Sequence, residues 1–402
     1  MSTDLTQRPH LAPLDPVDDR LDRMASPPLQ PYGTADRDAG ALTTRWVEAE
    51  DWAQLEAAWR ALAACAEPNV FLCPAFALAA RAIDQEPDLG AVVIERDGFL
   101  VGFAAGRFRR RGLVFSLWTH PYAPYGLPLM ERGREADILD ALFRHLADAG
   151  VAALDWPLAD EGPASQALEG LISAGHRRVD LFDHHRRAVM TAAPPKPSKE
   201  MRRLSRRLGE TGDLRHCTTA RDLPMDIAAN AFLKLEADGW KGRKGTALAG
   251  SGETLAFFHE VALGLAEAGD ARIDLLTLDG RPIAAGVVLA AGNRAWYWKT
   301  AYDETLARYS PGILLTQALA ADLAEDGRFA LVDSCAIPGH SMIDRIWPER
   351  MAIASRYIAV PPGRPSVDYR IVAGTERLRL GARRAAKALL ARLKGGRAKA
   401  GG

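Results

Sequence analysis

At 402 residues and 48% hydrophobic content the chain is long enough to bury two ordinary cores, which excludes a single small module. Its 51 basic and 51 acidic residues cancel, so no overall field steers it towards nucleic acid, and no apolar run of about 18 residues predicts a membrane-spanning helix. Cys65, Cys73, Cys217 and Cys335 form no C-x-x-C pair, which argues against structural zinc or a disulfide framework and fits a reducing, cytoplasmic compartment.

Residues 1–42 are polar and proline-rich, lack the apolar core of a signal peptide, and read as a disordered leader. Order is expected from Thr43. Arg45–Glu48 reads as a strand, and Asp51–Cys65 as an alanine-rich helix with Asp51 able to cap it. A second helix spans Pro74–Ile83. Three alternating runs, Gly90–Glu95, Phe99–Phe108 and Leu113–Trp118, are separated by Arg-Asp-Gly and Arg-Arg-Gly turns and predict a meander. His120-Pro-Tyr-Ala-Pro-Tyr-Gly126 follows as a loop in which prolines stiffen Tyr122 and Tyr125. Then come a helix (Arg134–Ala149), a strand (Val151–Asp155), a helix (Pro163–Ala174) and a strand (Val179–Phe182). Pro194-Pro-Lys-Pro197 marks a boundary.

The same succession returns about 180 residues later. The basic helix Ser198–Leu208 and the strand Asp213–Thr218 lead to helices at Leu223–Ala237 and Gly252–Ala268. A second meander, Ala271–Leu278, Pro282–Ala290 and Ala295–Thr300, is followed by a helix (Ile313–Glu325), a strand (Phe329–Asp333), a helix (Ser341–Trp347) and a strand (Met351–Ala359). The organisation read from this order is a leader (1–42), a first unit (43–193), a second unit (194–362) and a basic tail (363–402). Each unit is of mixed α/β type. In the tail, Thr375–Lys394 sets Leu378, Ala382, Ala385, Leu389 and Leu393 against Arg379, Arg383, Arg384, Lys387 and Arg392. That pattern suits either a membrane surface or a solvated tail helix.

The segment Tyr302–Gly312 opens a helix directly after a strand. Ser310, Pro311 and Gly312 supply a hydroxyl, a first-turn proline and a residue that lets a ligand approach the backbone, so the unpaired N–H groups there either start a helix or also receive an anion. Trp240-Lys-Gly-Arg-Lys-Gly245 reads either as a linker or as a flexible, substrate-facing loop. In the second reading Lys241, Arg243 and Lys244 meet anionic groups and Trp240 offers a stacking surface. Lys299 alternates with tryptophans in Trp296-Tyr-Trp-Lys299, on a solvated face or towards an anionic substrate. His184-His185 lacks a third ligand, so no metal is expected, and Cys335 reads as a buried strand residue.

The element order, together with Asn69-Val-Phe-Leu-Cys-Pro-Ala-Phe76, Ser198-Lys-Glu-Met-Arg-Arg203, Phe232 to Thr246 and Tyr309-Ser-Pro-Gly312, resembles tandem GNAT acyltransferases of the FemAB-like branch. The closer resemblance is to the CelD-like proteins associated with cellulose or exopolysaccharide synthesis. Arg308-Tyr-Ser-Pro-Gly-Ile313 keeps the arginine of the usual acyl-CoA loop and offsets its glycine. The resemblance implies two tandem GNAT-like units, the second binding acetyl-CoA or another acyl-CoA as co-substrate. Arg308, Ser310, Gly312 and Ile313 would meet the pyrophosphate and the strand carrying Trp298 the pantetheine arm. It implies a splay between Ala295–Thr300 and Phe329–Asp333, where Asp333 either takes a proton from the attacking amine or caps the next turn. Tyr302 and Tyr309 are the candidate proton donors. The acceptor implied is an amine or hydroxyl of a sugar or other polar metabolite, met by Trp240, Lys241, Arg243, Lys244, Lys299, Tyr122 and Tyr125. The alternatives are a non-catalytic binding protein of polysaccharide synthesis at the inner membrane face and aminoacyl transfer from tRNA. Nucleic acid is the least expected partner.

Overall fold

Paired Asp-Gly turns organise both meanders. Asp97-Gly98 and Asp279-Gly280 carry positive φ at both residues, the left-handed geometry that matches the twist of a two-residue hairpin. A computed structural model describes residues 41–191, 194–340 and 342–399, so most of the expected leader lies outside the described residues. In the first half, β1 (Leu42–Glu48), α1 (Glu56–Cys65) and α2 (Pro74–Ile83) precede the meander β2 (Leu89–Arg96), β3 (Phe99–Arg109) and β4 (Val114–Leu117). The short β5 (Leu129–Met130), α3 (Glu135–Asp148), β6 (Ala153–Ala159), α4 (Pro163–Ala174) and β7 (Val179–Met190) follow. Asp51 does not cap α1; it lies within a 3-10 segment, Ala49–Leu55, that runs straight into the helix.

The second half contains α5 (Lys199–Gly209), β8 (Leu214–Thr218), α6 (Met225–Asp238), α7 (Trp240–Arg243) and α8 (Gly252–Ala266). Its meander is β9 (Ala271–Leu278), β10 (Arg281–Ala291) and β11 (Arg294–Tyr302), after which come α9 (Pro311–Asp326), β12 (Leu331–Asp333), α10 (Ile343–Ile346) and β13 (Glu349–Ala359). The tail is one helix, α11 (Val367–Lys399). Polar side chains set two helix starts: Ser198 Oγ accepts from the Met201 N–H at 3.2 Å and Ser251 Oγ from the Thr254 N–H at 3.1 Å. No described helix is long and apolar enough to cross a membrane.

All strands join one 13-stranded mixed sheet, in the order β1-β2-β3-β4-β6-β13-β7-β12-β11-β10-β9-β8, with β5 beside β3. Its centre is exchanged between the halves. β13 of the second half pairs with β6 of the first, β7 of the first pairs with β12 of the second, and the two last strands pair with each other. A division at residue 193 follows the chain but cuts this pairing, so neither half closes its own sheet. The core is shared as well: Phe71 lies 5.6 Å from Trp296 and Phe76 5.7 Å from Trp298, ring to ring across the halves. Each such buried ring contributes roughly 1.5–3 kcal/mol of transfer free energy.

Candidate functional site

β11 and β12 run parallel for only three residues, from Arg294–Leu331 to Trp296–Asp333. Beyond that point Tyr297–Tyr302 have no partner on this side among the described residues, and a cleft of about 510 Å³ opens. The cause is local. The Asp333 Oδ1 accepts the Cys335 N–H at 2.8 Å, Ser334 Oγ accepts the Ala336 N–H at 3.2 Å, and Cys335 takes φ 52°, so the chain leaves the sheet in a tight turn. Cys335 is therefore a turn residue on the cleft wall, not a strand residue. Burial pushes its thiol far above the ordinary range, which favours the neutral thiol there.

Lys299 projects into this cleft. The register of β10 against β11 slips between Val287–Lys299 and Val288–Tyr297, leaving Trp298 as a bulge that re-aims the side chains around it. The Lys299 ammonium lies 4.3 Å from the centre of the Tyr122 ring and 5.1 Å from that of Trp298, and no ion pair holds it among the described residues. Burial, with the charge of Lys241 second, pushes its pKa down to about 8, opposed by Glu236. Tyr122 comes from the first half, where its carbonyl accepts the Trp298 Nε1–H at 2.7 Å.

Two carboxylates fix the opposite wall. Glu236, 3% exposed, holds Lys241 at 2.7 Å and accepts the Leu248 N–H at 2.8 Å. Glu304 accepts the Trp240 N–H at 2.7 Å and pairs with Arg243. The segment expected to be a flexible loop is thus the short helix α7, pinned at both ends. A Cβ at Gly242 would stand 1.7 Å from the Ala237 carbonyl oxygen, so only glycine fits the turn out of α6. Trp240 is half exposed beside the cleft, with Lys244 4.8 Å from its ring; Lys241 and Arg243 are already engaged with carboxylates.

Several expected site residues lie elsewhere. Asp333 is fully buried and salt-bridged to Arg187 at 3.1 Å, with Arg294 at 3.7 Å; it shapes the turn instead of facing the cleft. Tyr125 is buried, its hydroxyl accepting from Arg294 at 2.8 Å, and Tyr309 is buried with Leu208, Leu315 and Ile283. Arg308 is exposed and rests over the Tyr309 ring at 4.8 Å, while Ile313 packs towards the core at Leu319 and Trp347. Tyr302 does line the cleft.

The start of α9 is closed in this structure. Ser310 adopts φ 54° and its side chain does not cap the helix. The Ser310 carbonyl takes the N–H groups of Ile313 at 2.9 Å and Leu314 at 3.1 Å, and Pro311 has none. Only the Gly312 N–H is left, and the Tyr302 ring sits so near that a Cβ on Gly312 would lie 3.2 Å from it. The expected pyrophosphate cradle therefore lies against the Tyr302 ring. In the pseudo-equivalent place of the first half, β4 and β6 also run parallel to Ser116–Asp155, but α11 packs Tyr369, Val372 and Ala373 over Val114, Ala153 and Tyr357. There Ser116 Oγ donates to Asp155 at 2.8 Å, and burial pushes that carboxyl up to about 6.

Of the cleft, sequence reasoning found Trp298, Lys299, Trp240, Lys241 and Tyr302 and missed Glu236, Glu304 and His340. Glu236 lies inside the Phe232–Thr246 stretch that carried the resemblance; a carboxylate five residues before a lysine was the available signal.

A family profile described as an acetyltransferase (GNAT) domain matches residues 196–338. No curated protein matches the chain in sequence. Among solved structures, a conserved protein of unknown function from Bacteroides thetaiotaomicron is similar with TM-score 0.51 and 11% identity, over 79% of this chain and all of that one. FemX (TM-score 0.47, 11% identity, 79% and 96% coverage) and a tandem GNAT protein from the clavulanic acid biosynthesis pathway (0.38, 14%, 81% and 100%) are also similar. The chain has a mixed α/β fold built on one large mixed sheet, and residues 196–338 of its second half are similar to an acetyltransferase (GNAT) domain.

Proposed function

We propose that the chain is an acyltransferase that moves an acyl group from a CoA thioester to an amine or hydroxyl of a sugar or other polar metabolite, in the cleft between β11 and the turn after β12. The observation that carries this reading is Lys299, a cation without an ion-pair partner among the described residues, in a cleft made by two parting parallel strands. The free edge Tyr297–Tyr302 suits the amides of a pantetheine arm, which add to a sheet edge as a strand would. Arg308 is the exposed cation beside the start of α9, and Tyr302 controls access to the Gly312 N–H.

With a pKa near 8, Lys299 is present partly as the free amine close to neutral pH. As the acceptor nitrogen or oxygen bonds to the acyl carbon, the Lys299 amine takes the proton the nucleophile loses. When the carbon–sulfur bond breaks, the Lys299 ammonium returns that proton to the departing sulfur, so one residue serves as base and then acid. In between, its positive charge stabilises the negative oxygen at the reacting carbon. Tyr122 and Trp298 steady the ammonium by their ring faces. Trp240, with Lys244 over it, offers a sugar-packing surface at the rim. The stretches that resemble CelD-like proteins support a sugar acceptor in exopolysaccharide or envelope synthesis.

The test is thiol release from acetyl-CoA in the presence of amino sugars and other polar amines. Release that depends on acceptor and is lost in Lys299→Gln supports the reading, and a chain that binds neither CoA nor acyl-CoA at millimolar concentration removes it. The second reading, a binding protein of polysaccharide synthesis that keeps the fold, is favoured by one observation: the Tyr302 ring packs close to Gly312, at the start of α9.

A further inference from the structure

α11 has two apolar faces. Tyr369, Val372 and Ala373, each about 2% exposed or less, pack on the sheet, and Glu376 beside them binds Arg110 and Arg379. On the opposite side Val367, Ile371 and Leu378 are 68%, 58% and 76% exposed, and with successive residues turning by about 100° they fall within about 40° of arc. A helix that only returned to solvent would carry polar residues there. These three are among the largest exposed apolar side chains of the described residues, and they form one stripe.

Charge identifies what covers it. Val367–Lys399 contains ten Lys and Arg against two Asp and Glu, although the whole chain is neutral. Arg370, next to the stripe, is exposed and has no ion pair among the described residues. A second copy of this helix would set ten cations against ten, and nucleic acid offers nothing to cover Ile371 and Leu378. A surface that is anionic at its head groups and apolar just beneath satisfies both features. We propose that the outer face of α11 binds an anionic lipid bilayer in its interfacial plane, with Val367, Ile371 and Leu378 entering below the head groups and Arg370, which flanks them, meeting lipid phosphates.

The full chain is sedimented with vesicles of phosphatidylcholine alone and of phosphatidylcholine with a third phosphatidylglycerol. Binding is expected only to the anionic vesicles. The pair Ile371→Glu and Leu378→Glu together should weaken it about tenfold or more, because two apolar anchors are lost and two repulsive charges gained. Arg370→Glu should also weaken it. All three side chains are exposed, so thermal unfolding should stay unchanged and reports that the variants fold. Absence of binding to anionic vesicles overturns the proposal. So does equal binding by the Ile371→Glu, Leu378→Glu variant, which would reduce the effect to charge alone. Self-association that this variant abolishes, without vesicle binding, would give the stripe to a second copy and also overturn it.

Discussion

Arg294, the first residue of β11 in the second half, donates from Nη1 to Asp160 Oδ2 at 2.7 Å, just past β6 in the first. Both side chains are buried, and the guanidinium also reaches the Tyr125 hydroxyl and lies 4.5 Å from its ring. Arg294 also lies 3.7 Å from Asp333, which Arg187 of β7 holds at 3.1 Å, so one buried network joins the two halves where their strands are exchanged.

Removing Asp160 leaves the buried Arg294 with Asp333 at 3.7 Å, an oxygen it shares with Arg187. Asp160→Ala should therefore cost about 3–5 kcal/mol of stability, read from chemical denaturation. Because the sheet and core are shared, both halves should unfold in one transition that shifts as a whole; two transitions, with only one displaced, would contradict the exchange as described.

Lys299 makes a pH prediction of fixed sign. Its folded pKa of about 8 lies below the 10.5 of an ordinary lysine, so between those values the unfolded chain binds more protons and stability rises with pH. Lys299→Met should remove that rise, and the difference in melting temperature between the two proteins should narrow from pH 8 to pH 10.5. A difference that stays constant with pH would place Lys299 in an ordinary solvated setting.

Asp155 carries the opposite prediction. Its carboxyl is raised to about 6 from 3.8, so the folded state holds the proton more tightly and the ionised form is the penalised one above pH 6. Asp155→Asn keeps an acceptor for Ser116 Oγ and should raise the melting temperature by about 2 °C at pH 7, with the gain gone below pH 3.8. Destabilisation at pH 7 would show that the charge itself is required beside Arg109 and Arg379.

Gly242→Ala forces a methyl into the Ala237 carbonyl and should cost about 2 kcal/mol or more, releasing α7 from α6. Trp240 fluorescence should shift as the ring loses its fixed place beside Lys244. Gly250→Ala, where a Cβ meets nothing within 4 Å, is the control and should leave both readings unchanged.

Local pattern carried most of this fold. Pro74–Ile83 and Pro163–Ala174 are visible as helices because a first-turn proline and apolar periodicity agree, and both meanders because Asp-Gly turns punctuate alternating runs. The exchange of β7 and β13 was not visible, since strand pairing between residues more than a hundred positions apart leaves no trace in local periodicity. The same distance hid the site. Nothing near Asp333 announces that Arg187 neutralises it, and nothing in Trp240–Gly245 shows that Glu304 turns a basic, glycine-rich stretch into a pinned helix. Lys299 was legible as a residue and illegible in role, because the bulge at Trp298, which two alternating tryptophans conceal, decides what it faces.

Tyr302 is predicted to act as a cover. Tyr302→Ala should expose the Gly312 N–H and tighten CoA binding about threefold by calorimetry, the scale of one exposed backbone donor meeting an anion. Unchanged affinity would move the pyrophosphate away from the start of α9.

The central claim is that an acyl thioester lies along the free edge of β11 in reach of Lys299. Amide hydrogen exchange with and without saturating acetyl-CoA tests it most directly. Slower exchange at Tyr297–Tyr302 and in the turn Ser334–Ala336, with the first half unaffected at β4 and β6, is the result predicted. Protection confined to the first half, or none anywhere, would contradict it.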